Sequence, residues 1–406
     1  MTNEPLLSVL VPTRDRVHTA ARVLRELADV LDDDAEIVVQ DCGREGELLG
    51  AVGELAGDRR LRYARVEQKL SMTQNWNAGL ARCRGRYVSV LGDDDGVHRS
   101  FGRLARWLEA ERAEAFVGFS PTIYYWPDFP DVAKAGRFAV ARHGGDLRHT
   151  DPGRLLRAAC RAFGHRVEVE GLPLLYRGVV RRDLVEKMQV RPGVYIDGVT
   201  PDVYARNRLA AMLREVVWAD FPMMFAGASG PSNAGLFATK VQGRAHLSEF
   251  HGLEWLEYAP VGLYTLIFHT EGLLRALTNA GRPDLIAEVD LAWVYATCLA
   301  YESGRRVENL RRYFRAAGLV GRGGARGAAD LGAAFVRGAL VRYAPKLLPP
   351  TDLLAEKPPT YKVYENVTDI GVAMRRLDEA LTEQGLRPPW DAGEAPGRRP
   401  AASLPS

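Results

Sequence analysis

Residues 6–91 switch repeatedly between two hydrophobic periods. Leu6–Pro12 (LLSVLVP), Glu36–Gln40 (EIVVQ), Leu61–Val66 and Tyr87–Leu91 (YVSVL) are short apolar runs rich in β-branched residues. Between them, Val17–Leu31, Leu48–Leu55 and Ser71–Cys83 carry apolar residues at helical spacing, as in Val17, Ala21, Leu24, Leu27 and Leu31. Ser71 and Gln74 have the spacing of a capping box. A strand that is apolar throughout is buried on both faces, which is the habit of parallel sheets covered by helices. Alternation with short connections predicts an α/β doubly wound sheet. Ligands in such sheets bind outside the carboxyl ends of the strands. Thr13, Asp41 and the run Asp93-Asp94-Asp95 all lie at such ends, so they are expected to converge on one crevice.

The acidic run carries the most chemistry. Tyr87–Leu91 stops at Gly92, and three carboxylates follow side by side. Adjacent carboxylates repel one another and disfavour regular structure. A strand that ends this way is suited to a hard divalent cation, because Mg²⁺ takes one or two carboxylates plus phosphate oxygens of a substrate. The plain alternative is a solvated acidic turn.

Further along, Phe101–Arg112 reads as an amphipathic helix and Ala115–Ser120 as a strand. Residues 121–150 are rich in aromatics, Gly and Pro, and are expected to be irregular. They are either a surface loop or a flap whose aromatic faces suit sugar rings. Leu172–Tyr176 and Arg177–Val180 read as strand-like, and Asp183–Met188 as a helix. Thr200-Pro201 has the N-cap and N1 chemistry of a helix start, which puts Asp202 in the first turn of a helix over 203–213. Val216–Asp220 is a further strand, and Phe225–Ser232 (FAGASGPS) a Gly/Ser-rich loop. From Gly252 the pattern becomes helical, over Leu253–Leu277, Leu285–Ser303, Val307–Ala317 and Ala328–Tyr343. Three regions are therefore expected: 1–250, a helical accessory domain over 251–345, and an extension over 346–406 with one helix and a disordered Pro/Arg tail. Between Arg305 and Lys346 ten Lys/Arg face only Glu308 and Asp330. Such a stretch is either an ordinary helix with solvated arginines or one that lies on a membrane surface.

Bulk properties exclude several classes. At 406 residues with 47% hydrophobic and 26% charged residues, the chain is ordinary globular material. A formal charge of +3 does not suggest nucleic acid as a partner. Cys42, Cys83, Cys160 and Cys298 form no CxxC pair, which argues against a zinc site or a disulfide framework and fits a reducing compartment. The N-terminus lacks a secretion pattern, and no apolar run reaches the roughly 20 residues of a membrane span. A cytoplasmic protein is expected, with peripheral contact at the inner membrane face as an extension of that view.

LLSVLVPTRDR, EIVVQDCG and LSMTQNWNAGLARCRGRYVSVLGDDDGV, in that order and spacing, resemble the opening of family 2 glycosyltransferases of the GT-A fold. The likeness is strong from Leu6 to Val97, weaker from Gly193 to Ser248, and absent beyond. It implies a GT-A doubly wound mixed sheet, followed here by a mainly helical C-terminal region. It also implies an inverting, Mg²⁺- or Mn²⁺-dependent transfer from a UDP-, GDP- or dTDP-sugar to a hydroxyl on a glycan, a lipid-linked sugar or a small molecule. Pro12, Thr13 and Arg14 resemble the loop that meets the nucleotide base, and Asp41 the carboxylate that accepts from the base. Asn77 and Gly79 match an Asn-x-Gly that precedes the metal strand. Gly92 stands at the family's first acidic position, which makes Asp93 the ribose-side residue and Asp94 the metal ligand. Asp93 and Asp95 also make a D-x-D, so Asp95 is a ligand candidate too. His246 matches a histidine that some GT-A enzymes return to the ion. For the general base the resemblance points to Asp202, with Asp197 second. Trp76 and the Ser229–Asn233 loop are read as core and ordinary turn rather than as contacts to the donor sugar or acceptor.

Other classes stay in view. Asp93-Asp94-Asp95-Gly96-Val97 also resembles the DxDG[TV] loop of haloacid-dehalogenase-like phosphatases, whose first Asp attacks phosphate. That loop normally ends the first strand of its domain, and three strands precede it here. A sugar nucleotidyltransferase would need a glycine-rich loop where this chain has VPTRDR. A catalytically inactive GT-A scaffold is the third option.

Overall fold

The computed structural model describes residues 4–165, 169–238, 254–262, 265–343 and 360–391. The expected alternation is present. It runs β1 (Leu7–Thr13), α1 (Val17–Val30), β2 (Ala35–Asp41), α2 (Glu47–Ala51), β3 (Leu61–Arg65), α3 (Met72–Leu80) and β4 (Tyr87–Val90). β5 (Gly96–Val97), α4 (Phe101–Ala110), β6 (Ala115–Gly118), β7 (Ile123–Tyr125), β8 (Phe138–Ala141), β9 (Leu147–Thr150) and α5 (Pro152–Ala162) follow. Then come β10 (Gly178–Arg181), α6 (Arg182–Glu186), α7 (Pro201–Ala210), β11 (Val216–Ala219), β12 (Met224–Ala228) and α8 (Asn233–Ala238).

The main sheet has the order β3-β2-β1-β4-β10-β6-β11-β9. β3, β2, β1 and β4 are parallel, and β10 enters antiparallel to both β4 and β6. This is a doubly wound mixed sheet, as the alternation predicts. Its β1 shows why the strands are apolar on both faces. Leu7, Val9 and Val11 join the core under α1 and α4, while Leu10 joins the opposite core with Trp76, Leu80 and Tyr204. Successive side chains point to opposite faces, and helices cover both. Thr13 pairs in register with Asp41, so the first two strand-end residues are neighbours. The capping box at Ser71 is formed: Ser71 Oγ accepts from Gln74 N, and Gln74 Oε1 accepts from Ser71 N.

The structure departs from sequence expectation over 121–150. That stretch is not a loop but contributes β7, β8 and β9, and its aromatics are not a sugar-binding flap. Tyr124, Trp126 and Phe138 are fully buried. Strands of three or four residues separated by Asp, Gly and Pro turns are too short to register as a period. β12 (Met224–Ala228) likewise occupies the first half of the stretch expected as a Gly/Ser loop. It pairs parallel with β7 and antiparallel with β5 in a second sheet of order β13-β8-β7-β12-β5. β13 (Thr360–Tyr364) comes from the C-terminal extension and pairs antiparallel with β8.

The helical half contains α9 (Thr265–Asn279), α10 (Pro283–Glu288), α11 (Leu291–Tyr301), α12 (Arg306–Leu319) and α13 (Gly324–Tyr343). The helix expected over 285–303 is two, because Asp290 caps a new start by accepting from Trp293 N at 3.0 Å. α14 (Ile370–Glu383) lies in the extension. Its Ile370, Ala373, Met374 and Leu377 belong to the core under β1 and α1, together with Trp390. The extension thus folds back on the first half of the chain; the tail expected to be disordered from Arg387 is ordered as far as Asp391, with Trp390 buried, and the rest of it falls outside the described residues. The four cysteines are buried and unpaired. Among the described residues no helix is long and apolar enough to cross a membrane.

Candidate active site

The carboxyl ends of β1, β2 and β4 meet as expected. Thr13 is the link. Its backbone oxygen accepts from Cys42 N at 3.2 Å. Its hydroxyl donates to Asp93 Oδ2 at 2.6 Å. Thr13 and Asp41 line one small cleft with Asp15, Arg16 and Gly43. Asp41 is held by Gly43 N on Oδ1 (2.7 Å) and by the Tyr63 hydroxyl on Oδ2 (2.6 Å). Arg14 donates to Leu70 O at 3.1 Å, which ties the β1 loop to the start of α3. Pro12 lies within β1, opposite Gln40.

The three acidic neighbours are nearly inaccessible, at 2%, 5% and 2% exposure for Asp93, Asp94 and Asp95. A solvated turn is therefore excluded. They are also not a three-carboxylate cage, and among the described residues no group of three or more His, Cys, Asp or Glu is arranged to hold a metal ion. Each takes different partners. Asp93 accepts from Thr13 and is paired with Arg16 Nη1 at 2.9 Å. Burial works against the Arg16 charge, but Asp93 and Asp94 outweigh it and hold the guanidinium protonated. Asp95 accepts from Gly227 N at 2.8 Å and Gly92 N at 3.2 Å, and Arg177 Nε lies 4.0 Å away. Asp94 takes its side-chain bonds on Oδ2 alone, from Ser229 N (3.1 Å) and Ser229 Oγ (2.7 Å). Trp126 Nε1 fixes its backbone oxygen at 2.9 Å.

Asp94 is thus the carboxylate without a cation of its own. Burial first, then Asp95 and Asp93, push its carboxyl up to about 7, against the pull of Arg16 and Ser229. That is the donor chemistry of a site with one protein carboxylate, where substrate phosphates complete the shell. The residues fit a divalent ion at Asp94. Asp95, also expected as a ligand, is already bound to two backbone amides. His246 lies outside the described residues.

Asn77 is positioned, but not for a ligand. Its Nδ2 donates to Ile196 O at 2.8 Å, and its Oδ1 accepts from Tyr195 N (3.0 Å) and Ile196 N (2.9 Å). It staples the 195–196 backbone to α3. The helical region holds the same loop from the other side. Val199 N donates to Glu271 Oε2 at 3.0 Å, and Thr200 Oγ1 to Phe268 O at 3.1 Å. Asp197 is drawn into this bracing, with Asn279 Nδ2 at 3.1 Å and Arg191 and Arg275 at 3.6 and 3.8 Å. Asp202 differs: it is exposed in the first turn of α7. His269 and Arg177 both feel its charge.

Sequence reasoning did not single out Arg16, Tyr63, Tyr176, Arg177 or His269, and it set Ser229 aside as part of a turn. Arg16 was visible as the second arginine of the TRDR loop. The others had no local signal, since each meets the site through a contact distant in the chain.

Residues 8–148 match glycosyl transferase family 2. An uncharacterized protein of Sinorhizobium fredii, y4gI, is 33% identical over 97 residues, a match that spans 23% of this chain and 11% of that protein. S. aureus TarS 1–349 superposes with a TM-score of 0.42 at 12% identity, covering 88% of this chain and 98% of that one. The mannosyltransferase PcManGT from Pyrobaculum calidifontis, in complex with GDP-Man and Mn2+, does so with a TM-score of 0.37 at 16% identity, covering 96% and 88%. Superpositions this loose say nothing about substrate.

Proposed function

Residues 8–148 form a family 2 glycosyltransferase segment, and on that premise we propose that the protein moves a sugar from a nucleoside-diphosphate sugar to an acceptor hydroxyl with inversion. The observation that carries the reading is Thr13, which joins the Asp41 cleft to the acidic triple through one 2.6 Å bond. The cleft beside Asp41 and Tyr63 receives the nucleobase and Asp93 lies on the ribose side. Asp94 is the residue that would hold Mg²⁺ or Mn²⁺, which when bound neutralises charge on the diphosphate. Asp202 takes the proton from the acceptor hydroxyl as that oxygen attacks the anomeric carbon. Asp197 is braced, whereas Asp202 is exposed and no side-chain bond holds its carboxylate among the described residues, so it is the one able to reach an acceptor. Asn77, Glu271 and Thr200 keep its loop in place.

A phosphatase of the haloacid-dehalogenase type would need Asp93 as a free nucleophile. Asp93 is instead locked between Thr13 and Arg16. Incubation with labelled UDP-, GDP- and dTDP-sugars, with and without Mn²⁺, tests the reading. Metal-dependent release of a nucleoside diphosphate supports it. Phosphate release from sugar phosphates, or donor binding with no turnover, would replace it with the phosphatase or an inactive scaffold. Asp202→Asn should slow transfer by about 10²–10⁴-fold with donor affinity kept. Loss of donor binding instead would remove Asp202 from the base role.

Contact with an anionic lipid surface is part of the same proposal. Val307, Leu310 and Phe335, all exposed, line an open cavity between α12 and α13 with Arg306 and Leu299. Arg311, Arg322 and Arg326 are exposed on and between the same two helices. An apolar face with exposed arginines on the same helices complements anionic headgroups. Flotation with phosphatidylglycerol vesicles, lost in Val307→Asp/Phe335→Asp, is the expected outcome. Failure of the wild type to float would end this part.

A further inference from the structure

One cation beside the acidic cluster has no role in the scheme above. Arg177 adopts a φ of 57°, a left-handed backbone that a residue with a Cβ rarely accepts. Such conformations persist where surrounding contacts impose them, and they gather at functional sites. Here the contacts are plain. Arg177 N donates to Val90 O at 2.8 Å, Val90 N donates to Leu175 O at 2.8 Å, and Tyr176 bridges Val90 in parallel. The segment 175–177 is therefore stitched to the last residue of β4, two positions before Gly92. Tyr176 fixes the direction further. Its ring lies 5.7 Å from Trp76, its hydroxyl feels the Asp95 charge, and the Arg177 guanidinium sits 5.0 Å over its face.

The side chain so aimed does not close on a partner. Arg177 Nε is 4.0 Å from Asp95 Oδ2, beyond hydrogen-bond range, and is a buried donor with no acceptor. Arg16 is the contrast, since it docks on Asp93 at 2.9 Å. An arginine placed to neutralise the cluster would have closed in the same way. Asp95, Asp202 and Asp94 all act on the Arg177 charge, so it sits in the field of both the acidic cluster and the candidate base. Its side chain keeps 31% exposure, so part of the guanidinium can be met from outside. A guanidinium matches phosphate oxygens in shape and charge.

Resting on the transferase reading, we propose that Arg177 is a catalytic residue that donates to the donor's diphosphate and takes up the charge released on it. In the step, the bond from the anomeric carbon to the β-phosphate oxygen breaks and its electron pair stays on that oxygen, facing Arg177. The acceptor oxygen forms the new bond to the anomeric carbon, and its proton goes to Asp202.

The test compares nucleoside diphosphates with their monophosphates by calorimetry, using UDP/UMP, GDP/GMP and dTDP/dTMP without divalent ion. Wild type, Arg177→Gln and Arg177→Lys are measured, with thermal melting to verify folding. For the pair that the wild type binds, Arg177→Gln should lose tenfold or more in diphosphate affinity while monophosphate affinity is unchanged. Arg177→Lys should fall between the two. With Mn²⁺ and the matching sugar donor, kcat of Arg177→Gln should fall on the order of 10²-fold. Equal diphosphate affinity in wild type and Arg177→Gln overturns the assignment and leaves the transferase reading standing. So does an equal loss for diphosphate and monophosphate, which would make Arg177 a structural residue. A wild type that binds none of the six nucleotides, first without divalent ion and again with Mn²⁺, overturns the transferase reading itself, and Arg177 with it; one that binds only with Mn²⁺ is compared with Arg177→Gln in its presence, with the same outcomes.

Discussion

Gly227→Ala should disable the site without touching a functional side chain. Gly227 lies in β12, where its N–H donates to Asp95 Oδ1 at 2.8 Å. A Cβ at this position would stand 1.6 Å from Asp94 O, 2.5 Å from Asp94 C and 3.1 Å from Asp95 N. A carbon–oxygen contact needs about 3.3 Å, so strand and loop must part by about 1.7 Å. β12 cannot retreat alone, because Ala226 and Gly227 are in register with Ile123 and Tyr124 of β7. The Phe225 ring also fills the space beside Gly96, where a Cβ would meet Phe225 Cζ at 2.2 Å. The acidic loop therefore moves, and Asp94 with it. Overpacking of this kind costs about 1–3 kcal/mol. A displacement near 1 Å at reacting groups costs about 10²-fold in rate. The assay is thermal unfolding beside nucleoside diphosphate release at saturating donor. The expected result is a lowered Tm and a rate reduced about 100-fold or more. Gly332→Ala is the control. That glycine is exposed on α13 with nothing within 4 Å of its added Cβ, so the change should raise stability by up to about 1 kcal/mol and leave turnover alone. A Gly227→Ala protein with wild-type Tm and turnover would refute the claim that β12 and the acidic loop are in contact.

Asn77→Ala removes three bonds to the 195–196 backbone and should cost about 2–3 kcal/mol in stability, with reduced kcat because the Asp202 loop loses one brace. Chemical denaturation and initial rates check both, and an unchanged kcat would show that loop to be held from the α9 side alone. Glu36 predicts a pH effect at the opposite end of the sheet. It is buried, which by itself raises its pKa, but bonds from Ser8 Oγ (2.6 Å), Arg84 N (2.7 Å) and Arg62 (3.1 Å) outweigh burial and hold the carboxyl below its usual value. A carboxyl depressed by folding contributes stability above its unfolded pKa of about 4.3. That contribution is lost as pH falls through the folded value. The stability advantage of wild type over Glu36→Gln should therefore hold at neutral pH and shrink below about pH 4. An advantage constant down to pH 3 would contradict the assignment.

What could be read from the amino-acid order was local. β1 to β4 and the helices between them follow from hydrophobic period, and Ser71–Gln74 from capping chemistry. Thr13, Asp41 and Asp93 were identifiable because a parallel sheet collects its carboxyl ends on one edge, whatever the rest of the chain does. β7 to β9 and β13 were not identifiable, since strands of three to five residues draw their stability from neighbours rather than from their own pattern. Asn77 and Asp197 were marked as site residues for the same limited reason: spacing places a polar side chain on an edge but does not say what it bonds. Tertiary contacts turned Asn77 toward the 195–196 backbone and drew Asp197 in among Asn279, Arg191 and Arg275.

The acidic triple shows the division most clearly. Its charge and its position at the end of β4 were determined by twelve consecutive residues, 86–97; its burial was not. Which carboxylate stays without a cation was decided by Thr13 and Arg16 before it and by Gly227 and Ser229 more than 100 residues after it. Three identical side chains in a row have identical intrinsic chemistry. Only the unequal surroundings that folding places around each of them separate their roles.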